Sequence, residues 1–233
     1  MALTDDTFGE LKALTFALIG REYTDTSASF TRLKSLWNYS AKKAYKATNY
    51  WERYLVVGDE RTVSNKNIVP RVQTNSDTID TFLRIFKEDP NIKRSVEYKF
   101  ISKGNGALLT GVAGRLSSDL YEDPNNEGFY LQPDSSEDDS TVFVIFKKAF
   151  NPDFGNAGDS EAIPSEFMPY MAHLTAYTWQ RSVDQNSDDA NFTLSLGLVN
   201  SILEDELAKI DDQGIFNSYI AKNIRTNYNQ LII

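Results

Sequence analysis

Apolar residues recur along this chain with two periods, and the switch between them divides it. Near the start the spacing is helical. Thr7 and Glu10 form the T-x-x-E of a capping box, Phe8, Leu11, Leu14 and Leu18 make a stripe, and Gly20 supplies a stop, so a helix is expected over 7–20. A polar linker, REYTDTSAS, leads to a longer expected helix from Phe30 to Trp51. Phe30, Leu33, Trp37, Ala41, Ala44 and Trp51 share its apolar face.

From Tyr54 to about Phe150 the pattern shortens. RYLVVG, TFLRIFK, SVEYKFIS, GALLTGV and TVFVIFKK are brief, rich in β-branched and aromatic residues, and separated by turn formers such as Glu88-Asp89-Pro90-Asn91 and Gly104-Asn105-Gly106. These predict a small, mostly antiparallel β-unit. TIDTFLRIFK also fits a helix through Ile79, Phe82, Leu83 and Phe86; strand is preferred. Residues 117–140, SSDLYEDPNNEGFYLQPDSSEDDS, are acidic and full of turn formers, which predicts that most of the stretch is a long exposed loop.

Helical spacing then returns. IPSEFMPYMAHLTAYTWQ places Phe167, Met171, Leu174 and Thr178 on one face over residues 165–183, with Ser165 set to cap it. A further helix is expected over 187–212, opened by Ser187, Asp188 and Asp189. Its stripe is Phe192, Leu196, Val199, Leu203, Leu207 and Ile210. Gly214 reads as a stop. The expected class is therefore α+β: a four-helix bundle-like body (1–53 and 151–212) with an inserted β-unit (54–150) and an extended C-terminal arm (213–233).

Composition removes several chemistries. With 41% hydrophobic, 12% aromatic and 24% charged residues, the 233-residue chain has material for a real core. Cysteine is absent, so disulfides, thiolate nucleophiles and cysteine-containing zinc sites are excluded. The single histidine, His173, reads as a helix-surface or interface residue. A net charge of −9 is the reverse of what a protein gripping nucleic-acid phosphates presents. Lys34, Lys42, Lys43 and Lys46 read as the wet side of a helix rather than a nucleic-acid patch. No run approaches the roughly 20 apolar residues that span a bilayer, and MALTDDTFGEL has no secretory-signal pattern.

Catalytic and metal motifs are not evident. There is no phosphate loop, nucleophile elbow, H-E-x-x-H or EF-hand register. Glu204, Asp205 and Glu206, like Asp211 and Asp212, fall on the exposed side or end of a helix, where nothing dry would raise a general acid's pKa. The expectation is no enzyme, with no catalytic residue, cofactor or metal.

Taken in order, these features resemble the head-to-tail adaptor (head-completion, connector) proteins of tailed bacteriophages, the short-tailed type especially. Four pieces carry the resemblance: the helix LKSLWNYSAKKAYKATNYW with Trp near its end; a β-region containing FLRIFKEDP, VEYKF and TVFVIFKKAF; the I-P-x-x-F helix entry of Ile163, Pro164 and Phe167, with Tyr170; and the helix ANFTLSLGLVNSILEDELAKID before a C-terminal extension. It spans nearly the whole chain as an order of features rather than a strict signature. The resemblance implies a virion protein assembled in the host cytoplasm. It implies a ring, usually dodecameric, docked on the portal protein and joined to the tail nozzle or tube. DNA would pass through without specific binding, which an acidic protein suits.

The segment after Asp212 is where such a subunit would be expected to reach its partner. Extended, its 20 or so residues would reach about 65 Å. It carries Lys222 and Arg225 and no acid, and an apolar end left in water is an aggregation hazard. The expected contacts to the portal or to a neighbouring subunit are Ile215, Phe216, Tyr219, Ile220, Lys222, Ile224, Arg225, Tyr228, Leu231, Ile232 and Ile233. A fifth helix on its own body is the alternative, since Phe216, Ile220, Ile224 and Tyr228 recur every four residues. Two other classes stay open. One is a carbohydrate- or ligand-binding module using Tyr98, Phe100, Phe129, Tyr130, Phe143 and Phe146, although alternating aromatics are more simply core. The other is a hydrolase using Asp134, Glu137 and Asp138.

Overall fold

The computed structural model of the protein describes residues 3–63, 68–91, 97–101, 119–122, 128–132, 140–182 and 189–212. In chain order the elements are β1 (Asp5–Thr7), α1 (Phe8–Ile19), α2 (Ala28–Lys46), a 3-10 turn (Glu52–Tyr54), β2 (Leu55–Thr62), β3 (Ile68–Pro70), β4 (Ile79–Phe86), β5 (Lys99–Ile101), β6 (Asp119–Glu122), β7 (Gly128–Gln132), β8 (Thr141–Lys148), β9 (Ala162–Pro164), α3 (Met168–Ser182) and α4 (Asp189–Asp212). The class is α+β, with mostly antiparallel sheets. Tyr54–Phe150 is one compact unit, and the segments on either side of it in sequence make up the other.

In the helical unit α1 forms as its sequence dictates. The Thr7 side chain accepts from the Glu10 amide, and the Glu10 carboxylate accepts from the Thr7 amide at 2.7 Å. Hydrogen bonds from the Thr7 amide and the Thr7 hydroxyl hold the Glu10 carboxyl below its ordinary 4.5. Gly20 closes the helix in the left-handed region, at φ 74°, its amide bonded to the Phe16 carbonyl. The buried face is Phe8, Leu11 and Thr15, while Leu14 and Leu18 are only half-buried. A polar residue holds the third core position because its hydroxyl is satisfied: Thr15 donates to the Leu11 carbonyl at 2.8 Å and accepts from the Trp37 indole at 2.9 Å.

Helix α2 starts at Ala28 behind a Ser27 cap and ends at Lys46, five residues before the expected Trp51. Phe30, Leu33, Trp37, Ala41 and Ala44 form its buried face. Trp37 meets Phe8 and Phe30 edge-on, at centroid distances of 5.2 and 5.7 Å. Beyond the helix the Thr48 hydroxyl accepts from the Tyr50 amide, a local bond that competes with helix continuation. Trp51 is buried, but by folding back, not by extending the face.

Helix α3 begins at Met168, three residues later than Ser165. Pro164–Phe167 forms a turn (Phe167 amide to Pro164 carbonyl, 2.9 Å), and the Ser165 hydroxyl accepts from Thr4 instead of capping. Phe167, Met171 and Leu174 are buried as expected, and Tyr170, Ala172, Thr175, Ala176 and Trp179 join them, so the apolar face is wider than the stripe. The breadth follows from position: α3 packs against α1, α2 and α4. The β1–β9 pair lies beside the entry to α3. Arg53 ties this corner together, holding Asp5 at 2.9 Å, Glu166 at 2.8 Å and the Thr4 carbonyl at 2.7 Å.

Between Asn151 and β9 the chain is irregular but bound to the helices. Asn38 bonds both backbone groups of Phe154, and Lys12 pairs with Asp159 at 2.7 Å. Gly155 has φ 89°, and a Cβ there would come within 2.9 Å of the Phe8 ring.

In the β-unit the three-stranded sheet runs β2–β8–β4, antiparallel throughout. Strand β8 is central and buried on both faces: Val142, Val144 and Phe146 on one, Ile145 and Lys147 on the other. The first face joins Val63, Val69, Ile79, Phe82, Ile85 and Tyr98 in one core cluster. TIDTFLRIFK is strand, not helix, and carries register shifts at Ile79/Thr81 and Phe82/Arg84. The second sheet runs β3–β7–β6–β5, and its β5–β6 pair is parallel. Strands β6 and β7 fall inside 117–140, a stretch expected to be mostly loop. Two short β-forming runs, DLYE and GFYLQ, pair antiparallel there, and acidic composition averaged over the stretch conceals them. GALLTGV and the Gly104-Asn105-Gly106 turn lie outside the described residues. Tyr54 and Phe150, the first and last residues of the unit, pack ring to ring at 4.9 Å.

Candidate functional site

Every expected contact residue of the arm, Ile215, Phe216, Tyr219, Ile220, Lys222, Ile224, Arg225, Tyr228, Leu231, Ile232 and Ile233, lies outside the described residues, as do Gly214, Ser187 and Asp188. The helix leading into that segment is described. At 24 residues α4 spans about 36 Å, and among the described residues α3 packs against it.

The expected stripe on α4 is only partly covered. Val199 is buried, Leu203 and Leu207 are half-buried, and Leu196 is 37% exposed. A second strip lies roughly a third of a turn round the helix. Leu198 there is 54% exposed, Ile202 is half-buried, and the next position on the same line is the exposed Asp205. Two apolar strips on one helix give an arc wider than a single neighbour covers. The sequence reading followed the stripe and missed the strip beside it, although Leu194, Leu198 and Ile202 repeat at steps of four. Exposed Glu204 and Asp205 make this part of the helix acidic.

The other candidates are placed as follows. His173 is half-buried on α3, and burial alone holds its pKa below the ordinary 6.5. Of the four helix lysines, Lys34 is bound to Asn156 at 2.6 Å, while Lys42, Lys43 and Lys46 are exposed. Tyr98 and Phe146 lie in the core of the β-unit and Phe143 is half-buried. Nothing is described of the side chains of Phe100, Phe129 and Tyr130, and Asp134, Glu137 and Asp138 lie outside the described residues. Among the described residues no group of His, Asp and Glu is arranged to hold a metal, and no helix is long and apolar enough to cross a membrane.

No protein-family model matches the sequence, and no curated protein matches it. The residues and their placement therefore carry the functional reading.

Proposed function

We propose that this chain is a head-to-tail adaptor of a tailed bacteriophage. In this reading it is a virion subunit without enzymatic activity, and its copies form a ring, dodecameric by resemblance, docked on the portal and joined to the tail nozzle or tube. The four helices act as one bundle that forms the body of each subunit. The segment 213–233 acts as the arm that leaves it.

One observation carries the reading most: the last described helix exposes Leu196 and Leu198 and leads into a segment that is apolar and locally basic. Large apolar side chains on a helix joined to such a segment mark a surface that another protein covers. Net charge adds support, since a ring of subunits at −9 each repels the DNA that must slide through it.

Deletion of residues 213–233 tests the proposal. The expected product is a folded, soluble monomer that no longer binds the portal. A truncated chain that still assembles into normal particles overturns the role of the arm.

A further inference from the structure

Helix α2 carries five cations, Arg32, Lys34, Lys42, Lys43 and Lys46, and no acid in its 19 residues, within a chain of net charge −9. Lys34 is bound to Asn156, and one turn on Asn38 holds the Phe154 backbone, so that side of the helix is occupied. The free side is different. Arg32, Leu36, Tyr39, Lys43 and Lys46 follow one another at steps of four and three, which puts them on one line about 21 Å long. The line faces away from the buried Trp37, Ala41 and Ala44, and its middle lies a third of a turn or more from Lys34 and Asn38. Arg32, Lys43 and Lys46 are exposed, Tyr39 is 52% exposed and Leu36 is half-buried. The Lys43 ammonium stands over the Tyr39 ring at 5.5 Å. Among the described residues none of Arg32, Lys42, Lys43 and Lys46 forms an ion pair, although the chain has 33 acids to 24 bases.

We infer that the Arg32–Lys46 line of α2 docks an acidic amphipathic helix of another protein. Its carboxylates would stand opposite Arg32, Lys43 and Lys46, and its apolar side chains over Leu36 and Tyr39. Two observations select that partner. Steps of four and three are those along which one helix stays in contact with another, and the line mixes cations with an apolar middle. Charge complementarity supplies the rest, because the three cations have no acid of their own chain to meet. A short acidic helix feels mainly these cations, since fields beyond about 8 Å are screened at physiological salt. A long polyanion such as DNA also meets the acidic remainder of the chain, which repels it. The surface is separate from the 213–233 segment, and the inference does not depend on the adaptor reading.

A labelled, alanine-rich helical peptide whose seam reads Glu-Leu-Leu-Glu-Glu at those steps tests the inference. It is titrated with the full-length protein, beside a scramble of the same composition and a single-stranded oligo-dT. The first peptide should bind saturably, more weakly as salt rises, and about tenfold tighter than the scramble. Lys43→Glu combined with Lys46→Glu should lower its affinity about tenfold or more, and Tyr39→Ala about threefold or more. Arg21→Glu combined with Arg181→Glu makes the same change in net charge off the line and should leave affinity within about twofold. Circular dichroism should be unchanged in all three, because the replaced side chains are exposed. No saturable binding below about 1 mM overturns the inference, as does equal binding of the scramble or equal loss in the two double variants. Oligo-dT that binds tighter than the peptide and is released by Lys43→Glu with Lys46→Glu overturns it in favour of nucleic acid.

Discussion

The indole Nε1 of Trp51 donates to the carbonyl of Ala44 at 2.9 Å, from seven residues further along the chain. The ring closes over the end of α2, adds a second donor to a carbonyl that the Ala47 amide also reaches, and meets Phe167 edge-on at 5.0 Å. One side chain thus joins the end of α2 to the turn that opens α3.

Trp51→Phe keeps the ring contact and loses the bond. Its expected cost is about 1 kcal/mol, at the low end because the Ala47 amide also reaches the Ala44 carbonyl. Trp51→Ala loses the packing as well and should cost about 3–5 kcal/mol. Urea titrations with an unchanged slope measure both. Equal midpoints for the two variants would contradict the assignment of the larger share to packing.

Arg61 is fully buried in the β-unit. Its guanidinium lies over Phe146 at 5.2 Å, with Nε on Asp59 at 2.6 Å, Nη2 on the Asp77 carbonyl at 2.5 Å and Nη1 without a hydrogen-bond partner. Removing the acid alone leaves a buried charge, so Asp59→Ala should cost about 3 kcal/mol. Replacing the base by an apolar chain of similar length removes both the charge and the unmatched donor. Arg61→Met should be within about 1 kcal/mol of the parent protein. Chemical denaturation of the two variants checks the order, and a costlier Arg61→Met than Asp59→Ala would contradict it.

His173 is the sole histidine, so its titration can be followed without overlap. Burial lowers its folded pKa below 6.5, which means the unfolded chain binds the proton more readily. Stability from this residue is therefore full above pH 6.5 and falls as the pH drops from there through the folded value. The single imidazole resonance should titrate below 6.5, and His173→Gln should flatten the stability profile in that window. A titration above 6.5 would contradict the burial effect.

Much of the helical unit was legible in its residues, and the misses have definite causes. The Thr7–Glu10 box and Gly20 fixed α1 because local hydrogen bonds set a helix end without help from the rest of the chain. Trp51 looked like a sixth residue on the α2 face because helical spacing cannot tell a continuing helix from one that stops and folds back. TIDTFLRIFK forms strand, the preferred reading, although Ile79, Phe82, Leu83 and Phe86 also fit a helix; two register shifts break the strict alternation that would have separated the two. Averaged composition hid β6 and β7 within an acidic stretch. On α4 the stripe was identified, but which part of it the body covers depends on α3, and no local pattern carries that information. The expected arm contacts rest on an apolar, locally basic stretch of sequence and on the resemblance, and they lie outside the described residues.

The central claim is that this chain is a coupling subunit whose partners are other proteins. Electron microscopy of the full-length chain mixed with its portal protein tests that most directly, through position and symmetry. The account predicts a closed ring stacked coaxially on the portal, with a continuous axial channel. A portal left bare at concentrations where the chain is folded and intact would contradict it.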